Sequence, residues 1–371
     1  MKNHQKTFVL LFFLLFVLML SACKTEEPIE TVVSPIDTNM DVVPVQLNIY
    51  TPKYLINDNI SSTFNEETNV IIHQEIYSSD EELIALINKP PLEIGLIVAS
   101  NYAASVLRDQ NLLTVYNANN VPNIVNIDGR FRNPTYDPYN QYCAAYTYGT
   151  IGLGFINGQN IFPTSWGDLF RQAPDSPTYG RTSLLNHPRE AFAAALMSLG
   201  YNPNTTSEAE IREAKQLLIN SAANFSDVNS TSYWEDLALF NTTLAQGFSH
   251  DFLAGQQINS EMNYSFPSEG AILRTYNFCL PLNNTSPAQK RAAEAFVNMA
   301  LDPEWALNTV FALEMPTTVM VDNGQIPLDA QQNPLIYPPD EVLKNAQYVY
   351  SIGAQEILYT TAWADVLEAI R

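Results

Sequence analysis

The sequence predicts an α/β fold in which a mostly parallel sheet is flanked by helices and divided between two lobes. Strand-like and helix-like segments alternate from residue 45 onward, as they do in βαβ units. The segment 94–99 (IGLIVA) has no polar residue, which is typical of a strand buried on both faces of a parallel sheet. The chain has 371 residues, of which 46% are hydrophobic, so it has enough apolar material for two lobes of ordinary size.

The first 22 residues have the pattern of an export signal. Two lysines precede an uninterrupted apolar run over 8–20, which is too short to span a membrane stably. The run ends in LSAC, an order that resembles the lipobox of bacterial lipoproteins. This resemblance implies cleavage before Cys23, lipid attachment to its thiol, and a protein held at the outer face of a membrane. Residues 23–43, rich in Glu, Thr, Asp and Pro, are then a flexible tether.

The exported chain is strongly acidic. The formal net charge is −21, and removal of residues 1–22 with their two lysines takes it to −23. Such a surface keeps an exported protein soluble and concentrates cationic solutes. It argues against nucleic acid and anionic lipid as partners, because both require basic patches.

The first half of the folded region predicts three strand–helix pairs. The predicted strands cover 45–50, 69–75 and 94–99. The helices that follow them cover 57–67, 79–87 and 103–110. In parallel sheets the loops at the carboxyl ends of the strands carry ligand-binding residues.

The second half predicts two long strands and several helices. The strand 142–155 is rich in small and aromatic residues and is longer than one lobe needs, so we expect it to cross between lobes. The second strand covers 270–281. The predicted helices cover 165–171, 188–199, 207–220, 285–301 and 354–370. Pro188 suits a first helical position, and Asn186 or His187 is expected to cap that helix.

One charged residue, Arg274, interrupts the apolar strand 270–281. An unpaired guanidinium is costly to bury. Either Arg274 lies at a sheet edge with its head group in water, or it lines a ligand cleft. The residues alone leave both alternatives open.

Cys143 and Cys279 lie in the two long strands and face an oxidising compartment after export. They either form a disulfide or are two small buried hydrophobic side chains. A sequence does not supply the geometry that a disulfide requires, so both alternatives stand.

The order and spacing of these elements resemble the spermidine/putrescine-binding proteins, the solute receptors of bacterial polyamine ABC importers. The resemblance runs from about residue 47 to the C-terminus. It is carried by FNEETNVIIHQEIYSSDEEL (64–83), IGLIVASNYAASVLRDQNLL (94–113), YTYGTIGLGFING with TSWGDLF (146–170), LLNHPREAFAAALMSLGYNPNTT (184–206), FPSEGAI (266–272) and MALDPEWAL (299–307).

The resemblance implies a two-lobed periplasmic-binding-protein fold of type II, with a hinge of crossover strands. It places residues 44–146 and 277–318 in lobe 1, and residues 147–276 and 319–371 in lobe 2. A small solute binds between the lobes, and closure presents it to an ABC permease. The working surfaces are then the cleft and the docking face, and we expect a monomer.

Four residues match ligand positions of that family. Ser100 and Tyr102 match a serine and a tyrosine in the loop after the buried strand. Glu190 matches a carboxylate that meets an amine, and Phe248 matches an aromatic residue that stacks on the ligand. A polyamine needs such carboxylates for its ammonium groups and aromatic faces for its methylene groups.

Other positions depart from the family pattern. Tyr50 and Tyr54 are the aromatic residues nearest to the position of a family tryptophan. His187 stands where the family has an aspartate, Arg274 where it has a second tryptophan, and Tyr276 where it has an aspartate that anchors an amine.

Two classes of solute therefore remain open. A polyamine or other cationic amine would use Glu190 and the aromatic residues. An acid-bearing solute, such as an amino acid or an aminoalkyl phosphonate, would place its acid group on Arg274 and its ammonium on Glu190. A sensor lipoprotein that presents its solute to a receptor instead of a permease is a further alternative.

An enzyme is disfavoured. The chain has no Gly-x-Ser-x-Gly elbow and no His-Glu-x-x-His motif. Ser249, His250 and Asp251 are consecutive, so their side chains diverge too far to form a triad among themselves. His187 and Glu190 are two possible metal ligands, which do not make a metal site. We predict a binding protein without a metal or cofactor.

Overall fold

The computed structural model describes residues 44–56, 58–89, 93–282 and 286–371. The predicted signal peptide (1–22), lipid-bearing Cys23 and tether (23–43) lie outside these residues. The described chain is an α/β fold in which eleven strands form one mixed sheet. No described helix combines the length and apolar character needed to cross a membrane.

The strands vary from two to fourteen residues. In chain order they are β1 (Val45–Pro52), β2 (Val70–Tyr77), β3 (Leu96–Ser100), β4 (Leu113–Thr114), β5 (Cys143–Ile156), β6 (Thr182–Leu184), β7 (Phe225–Val228), β8 (Leu244–Phe248), β9 (Met262–Ser265), β10 (Ile272–Pro281) and β11 (Gln347–Tyr348).

The α-helices follow the strands and are joined by short 3₁₀ turns. They are α1 (Asp58–Thr68), α2 (Asp80–Ile87), α3 (Asn101–Asp109), α4 (Gly167–Phe170), α5 (Pro188–Ser198), α6 (Glu208–Asn220), α7 (Tyr233–Ala238), α8 (Ser249–Gln256), α9 (Pro287–Ala300), α10 (Pro303–Leu313), α11 (Leu328–Gln332), α12 (Asp340–Asn345) and α13 (Glu356–Ile370).

Two long strands form the centre of the sheet. The strand order is β2-β1-β3-β10-β5-β8-β6-β7. The outer strands pair in parallel, β1 with β2 and β3 on one side and β6 with β7 and β8 on the other. β10 and β5 pair antiparallel with each other and with their neighbours β3 and β8. Every residue of β5 and β10 is buried, as expected of strands that cross between two lobes.

The apolar side chains of the described residues pack into separate clusters along this sheet. One cluster surrounds the second half of β5 together with β8, α5, α8 and α13. A second surrounds β1, β10 and the first half of β5, covered by α1, α9 and α10. A third joins α2, β3 and α3. The change of cluster along β5 agrees with a two-lobed fold whose lobes share crossover strands.

Most predicted elements are present with small shifts at their ends, and two predictions near α4 and α5 are wrong in detail. The helix predicted over 165–171 is only Gly167–Phe170, because Pro174 follows closely and disfavours helical backbone before it. His187 is the N-cap of α5, but its side chain makes no capping hydrogen bond. Its ring packs against Phe248 instead, with ring centroids 6.1 Å apart.

The structure joins Cys143 and Cys279 in a disulfide. The two residues face each other at the end of the β5–β10 ladder, and both are buried. The bond therefore links the two crossover strands at one end, and the alternative of two buried thiols is not what the structure shows.

Candidate functional site

Arg274 lies in the interior of the sheet. Its strand, β10, is flanked by β3 on one side and by β5 on the other, where Arg274 faces Gly149. The side chain is buried, with 7% of the residue exposed. Of the two sequence alternatives, the sheet-edge position is wrong. The guanidinium must therefore find its partners within the protein.

Two carboxylates supply those partners. The Arg274 guanidinium donates one hydrogen bond to Asp80 Oδ2 and another to Glu190 Oε1, each at 2.8 Å. Burial lowers the pKa of Arg274, but its attraction to Asp80 and Glu190 outweighs this effect and raises the pKa above its ordinary value. Arg274 is charged under all ordinary conditions.

The two carboxylates come from corresponding places in the two halves of the sheet. Asp80 is the first residue of α2, directly after β2, and Glu190 lies in the first turn of α5, after β6. Ser100, at the end of β3, donates from Oγ to Asp80 Oδ2 at 2.8 Å and also caps α3. Gln246 of β8 donates to the main-chain carbonyl of Glu190 at 2.9 Å. Each carboxylate is therefore positioned by a strand end of its own half.

Two aromatic faces complete the surroundings of the guanidinium. Its central carbon lies 5.3 Å from the centroid of the Phe248 ring and 5.6 Å from that of Tyr276. Tyr233 Oη accepts a hydrogen bond from the main-chain N–H of Phe248, which holds that residue at the end of β8. Distances of this size allow cation–π attraction. We call Asp80, Ser100, Glu190, Phe248, Arg274 and Tyr276 the Arg274 cluster.

Two further carboxylates surround this cluster. Glu81 follows Asp80 on α2, and its side chain is accessible at the surface. Although Glu81 is exposed, the protein around its carboxyl reduces the hydration of the charged form, and this effect together with the charge of Asp80 raises the pKa of Glu81. Asp251 acts electrostatically on Tyr276, whose pKa is raised mainly by burial. Asp251 also accepts a hydrogen bond from Tyr233 Oη at 2.5 Å.

Tyr102 extends the site towards α13. Its hydroxyl donates to Glu356 Oε2 at 3.2 Å, and burial raises its pKa, with the negative charges of Glu356, Glu190 and Glu81 adding to the effect. Tyr102 is therefore close enough to Glu190 and Glu81 to feel their charges. The structure thus brings together Ser100, Tyr102, His187, Glu190, Phe248, Arg274 and Tyr276 of the predicted site.

Tyr50 and Tyr54 occupy different surroundings. Tyr50 is half-buried on β1 and packs against the cluster that contains α2 and β3, and burial together with Glu75 raises its pKa. Tyr54 has 73% of its surface exposed, and the Lys53 ammonium lies 4.6 Å from its ring centroid. For both residues a contact with solute stays a prediction.

Sequence reasoning did not identify Asp80, Glu81 or Asp251 as site residues. Asp80 follows a serine and begins a predicted helix, so the sequence indicates a helix start. The structure has this helix start, with Ser79 as the N-cap of α2. A usable signal was its position directly after a parallel strand, since the carboxyl ends of such strands meet at one edge of the sheet. Asp251 lies three residues after the end of β8, so its position after a strand was the same kind of signal.

The described residues also enclose a cavity of about 710 Å³, which is separate from the Arg274 cluster. Leu273 and Tyr148 are among its lining residues. They are the chain neighbours of Arg274 and Gly149, and successive strand residues point to opposite faces. The cavity therefore lies on the other face of the crossover strands. No group of three or more His, Cys, Asp and Glu side chains suited to a metal is found in the described part of the chain.

Comparison with known proteins identifies the family. The family described as bacterial extracellular solute-binding protein matches residues 59–325. The spermidine/putrescine-binding periplasmic protein of Escherichia coli (strain K12) is 27% identical over 305 residues, which cover 80% of this chain and 84% of that protein.

Solved structures share the fold. The spermidine/putrescine ABC transporter substrate-binding protein PotD of Streptococcus pneumoniae is 22% identical, with a TM-score of 0.77, covering 88% of this chain and all of that one. A lipoprotein of Treponema pallidum is 23% identical with a TM-score of 0.77, covering 86% of this chain and 99% of that one. The Escherichia coli relative is named as a binding protein, which agrees with the prediction that the chain is not an enzyme. The chain belongs to the bacterial extracellular solute-binding protein family.

Proposed function

We propose that this protein is the receptor of an ABC importer for small aliphatic polyamines, which it binds at the Arg274 cluster and delivers to a permease. The observation that carries the proposal is the excess of negative charge at this site. Asp80 and Glu190 contact the Arg274 guanidinium, Glu81 is affected by the charges of both, and Asp251 acts electrostatically on Tyr276 of the same cluster. Groups of like charge that are partly buried together need further cations to balance them.

The chemistry of the site suits an aliphatic amine. Ammonium groups form short charge-assisted hydrogen bonds with carboxylates. Methylene groups and cationic groups both pack favourably on aromatic faces, and Phe248, Tyr276 and Tyr102 offer such faces. An acid-bearing solute is not favoured, because the guanidinium that would bind its acid group already donates to Asp80 and Glu190. A second anion would also meet the surrounding carboxylates.

The relatives support the same solute class. The Escherichia coli protein that matches over most of its length is named for spermidine and putrescine. The likeness to a Treponema pallidum lipoprotein and the LSAC pattern support an exported protein that is anchored through lipid on Cys23. A monomer is sufficient for this role.

Closure of two lobes would bury the solute. We assign residues 44–146 with 277–318 to lobe 1 and residues 147–276 with 319–371 to lobe 2. The separate apolar clusters and the crossing of β5 and β10 support this division. In this division Asp80 belongs to lobe 1 and Glu190 to lobe 2. Arg274 already bridges these two carboxylates. An amine bound beside them adds a second cation that favours the closed arrangement, as expected of a ligand-biased hinge.

Calorimetric titration of the purified exported protein with putrescine, spermidine, amino acids and aminoalkyl phosphonates tests the proposal. We expect binding of an amine and none of the acids. Glu190→Gln removes one negative charge of the cluster and weakens one of the two hydrogen bonds that hold Arg274. A loss of about 1.5–3 kcal/mol in amine binding corresponds to an affinity roughly 10- to 100-fold weaker. Glu208→Gln, which alters the first turn of the neighbouring helix α6, is the matched control and should leave affinity unchanged. Binding of acids without amines would refute the proposal.

A further inference from the structure

The surroundings of Arg274 point to a property of the solute itself. We propose that Arg274 is a built-in cation that occupies the position of one ammonium group, so that the site selects diamines over longer polyamines. This inference rests on the proposed function and assigns Arg274 as the residue that determines specificity.

The Arg274 guanidinium has the surroundings that an amine-binding site offers to an ammonium group. It lies between two carboxylates, each at hydrogen-bond distance, that come from opposite halves of the sheet. It also lies near the faces of Phe248 and Tyr276. This combination of two anions and two rings around one cation is present without a solute, and only the buried Nε of Arg274 has no hydrogen-bond partner among the described residues. The innermost amine position is therefore filled by the protein's own side chain.

The guanidinium is held firmly in this position. Its strand is in the middle of the sheet and is paired on both sides. Asp80 is fixed by Ser100 and by its place at the start of α2, and both carboxylates are buried. Displacing Arg274 by a solute ammonium would leave a buried guanidinium without its partners, which is costly. A solute therefore binds beside Arg274 and does not replace it.

Part of the binding capacity of the carboxylates in and around the cluster is unused. Asp80 Oδ1 is buried and has no hydrogen-bond partner among the described residues. Glu81 is accessible, and Asp251 is partly exposed with 27% of its side chain accessible. These groups offer anionic partners to a solute that stops short of the guanidinium. A longer chain of ammonium groups would extend into Arg274, where it meets a like charge and a filled space.

The test compares putrescine with spermidine by calorimetric titration of the wild-type protein and two variants. Arg274→Met removes the cation and keeps an apolar stem against the rings, while Arg274→Lys keeps a cation. We expect wild-type protein and Arg274→Lys to bind putrescine at least about tenfold more tightly than spermidine. In Arg274→Met the ratio should shift towards spermidine by about tenfold or more, because its additional ammonium group takes the position between Asp80 and Glu190.

The outcomes separate this inference from the proposed function. If wild-type protein binds neither amine, the proposed function fails. If it binds both and prefers spermidine, the inference fails, whatever the variants do. If Arg274→Met folds, as judged by circular dichroism, and keeps the wild-type ratio, Arg274 does not determine specificity. The wild-type preference is measured independently, so the inference stays testable even where Arg274→Met does not fold.

Discussion

Two buried arginines in this protein have similar surroundings and different charge balance. Arg189 and Arg274 are exposed to only 3% and 7%. Arg189 pairs with the carboxylate of Glu356 and stacks on Tyr359, whose ring centroid lies 4.3 Å from its guanidinium carbon. Arg274 pairs with two carboxylates and stacks on Phe248 and Tyr276.

The difference lies in what else surrounds each guanidinium. The other acceptors of Arg189 are neutral: the main-chain carbonyls of Tyr350 and Pro203 and the side-chain amide oxygen of Asn204. One cation and one anion balance there, and the neutral acceptors use other N–H groups of Nη1 and Nη2, whereas the buried Nε has no hydrogen-bond partner among the described residues. This arrangement joins α5 to α13 and to the loop after α5. It is the pattern of a structural ion pair.

The surroundings of Arg274 are not balanced in this way. Two carboxylates contact the guanidinium, and Glu81 and Asp251 lie close enough to affect the ionisation of their neighbours. An excess of buried charge reduces stability unless something else binds there. The two arginines are both buried and differ in the balance of charge around them. This balance is therefore the feature on which we base the proposed binding role of Arg274 and the structural role of Arg189.

The largest effect should follow from Arg189→Met. This change leaves Glu356 without its cation and removes a buried stem from the contact between α5 and α13. Breaking a buried pair on one side costs about 3–5 kcal/mol. We expect a loss of that size in the free energy of unfolding, measured by urea denaturation. Spermidine should stabilise this variant no more than it stabilises wild-type protein. A loss below about 1 kcal/mol would show that the pair is not a structural tie.

Arg274→Met should cost about as much and should respond to solute. Without amine, two buried carboxylates, Asp80 and Glu190, lose their cation, and we expect a loss of about 3–5 kcal/mol by the same measurement. A solute at a hundredfold excess over its dissociation constant adds about 2.7 kcal/mol. At equal concentration spermidine should therefore add more stability to this variant than to wild-type protein. If spermidine stabilised Arg274→Met and wild-type protein equally, the proposed difference between Arg274 and Arg189 would be wrong.

The sequence predicts the fold better than it predicts the different surroundings of Arg189 and Arg274. The alternation of strands and helices, the length of β5 and the helices predicted over 79–87, 207–220 and 285–301 follow from local patterns, and the structure has them with small shifts at their ends. The short strands β6 to β9 carry little periodicity of their own. They form because β8 pairs with β5, far away in the chain.

The partners of Arg274 could not be read from local patterns. Asp80 and Glu190 are 194 and 84 residues away from it in the chain. They meet it only because β10 inserts between β3 and β5. Arg189 and Glu190 are adjacent in the chain. Nothing in the sequence around them indicates that Arg189 pairs with Glu356 whereas Glu190 pairs with Arg274. The pairing of distant strands decides the role of both.

The charge excess at the Arg274 cluster also predicts a pH dependence. Reduced hydration of its carboxyl and the charge of Asp80 raise the pKa of Glu81, so its neutral form is favoured in the folded protein. Glu81 therefore contributes stability below its ordinary pKa, and this contribution is lost as the pH rises through the raised value. An amine needs the ionised form, so its affinity should fall as the pH is lowered through that value.

For one fully coupled proton the fall reaches at most about tenfold per pH unit. Titration of the wild-type protein with putrescine at several pH values measures it. Glu81→Gln should weaken binding at neutral pH and flatten the profile, whereas Glu208→Gln should leave the profile as it is. A profile that is unchanged in Glu81→Gln would place Glu81 outside the site.

The smallest expected effect concerns Tyr102, which lies beside Arg189 and is affected by the charge of Glu190 in the Arg274 cluster. Its hydroxyl donates to Glu356, the partner of Arg189, and its ring lies 5.8 Å from the Arg189 guanidinium carbon. Its pKa also responds to Glu190 and Glu81. Tyr102→Phe removes one hydrogen bond to a carboxylate, and we expect it to lower the free energy of unfolding by about 1 kcal/mol.

Putrescine affinity should change less than about threefold in this variant, since the aromatic face is kept. Tyr201→Phe removes a comparable hydroxyl that donates to Glu213 on the protein surface, and it should change stability less. If Tyr102→Phe instead weakened putrescine binding more than tenfold with little loss of stability, the hydroxyl would serve the solute. Tyr102 would then be a binding residue like Arg274. Glu356 would contact both this binding residue and the structural residue Arg189.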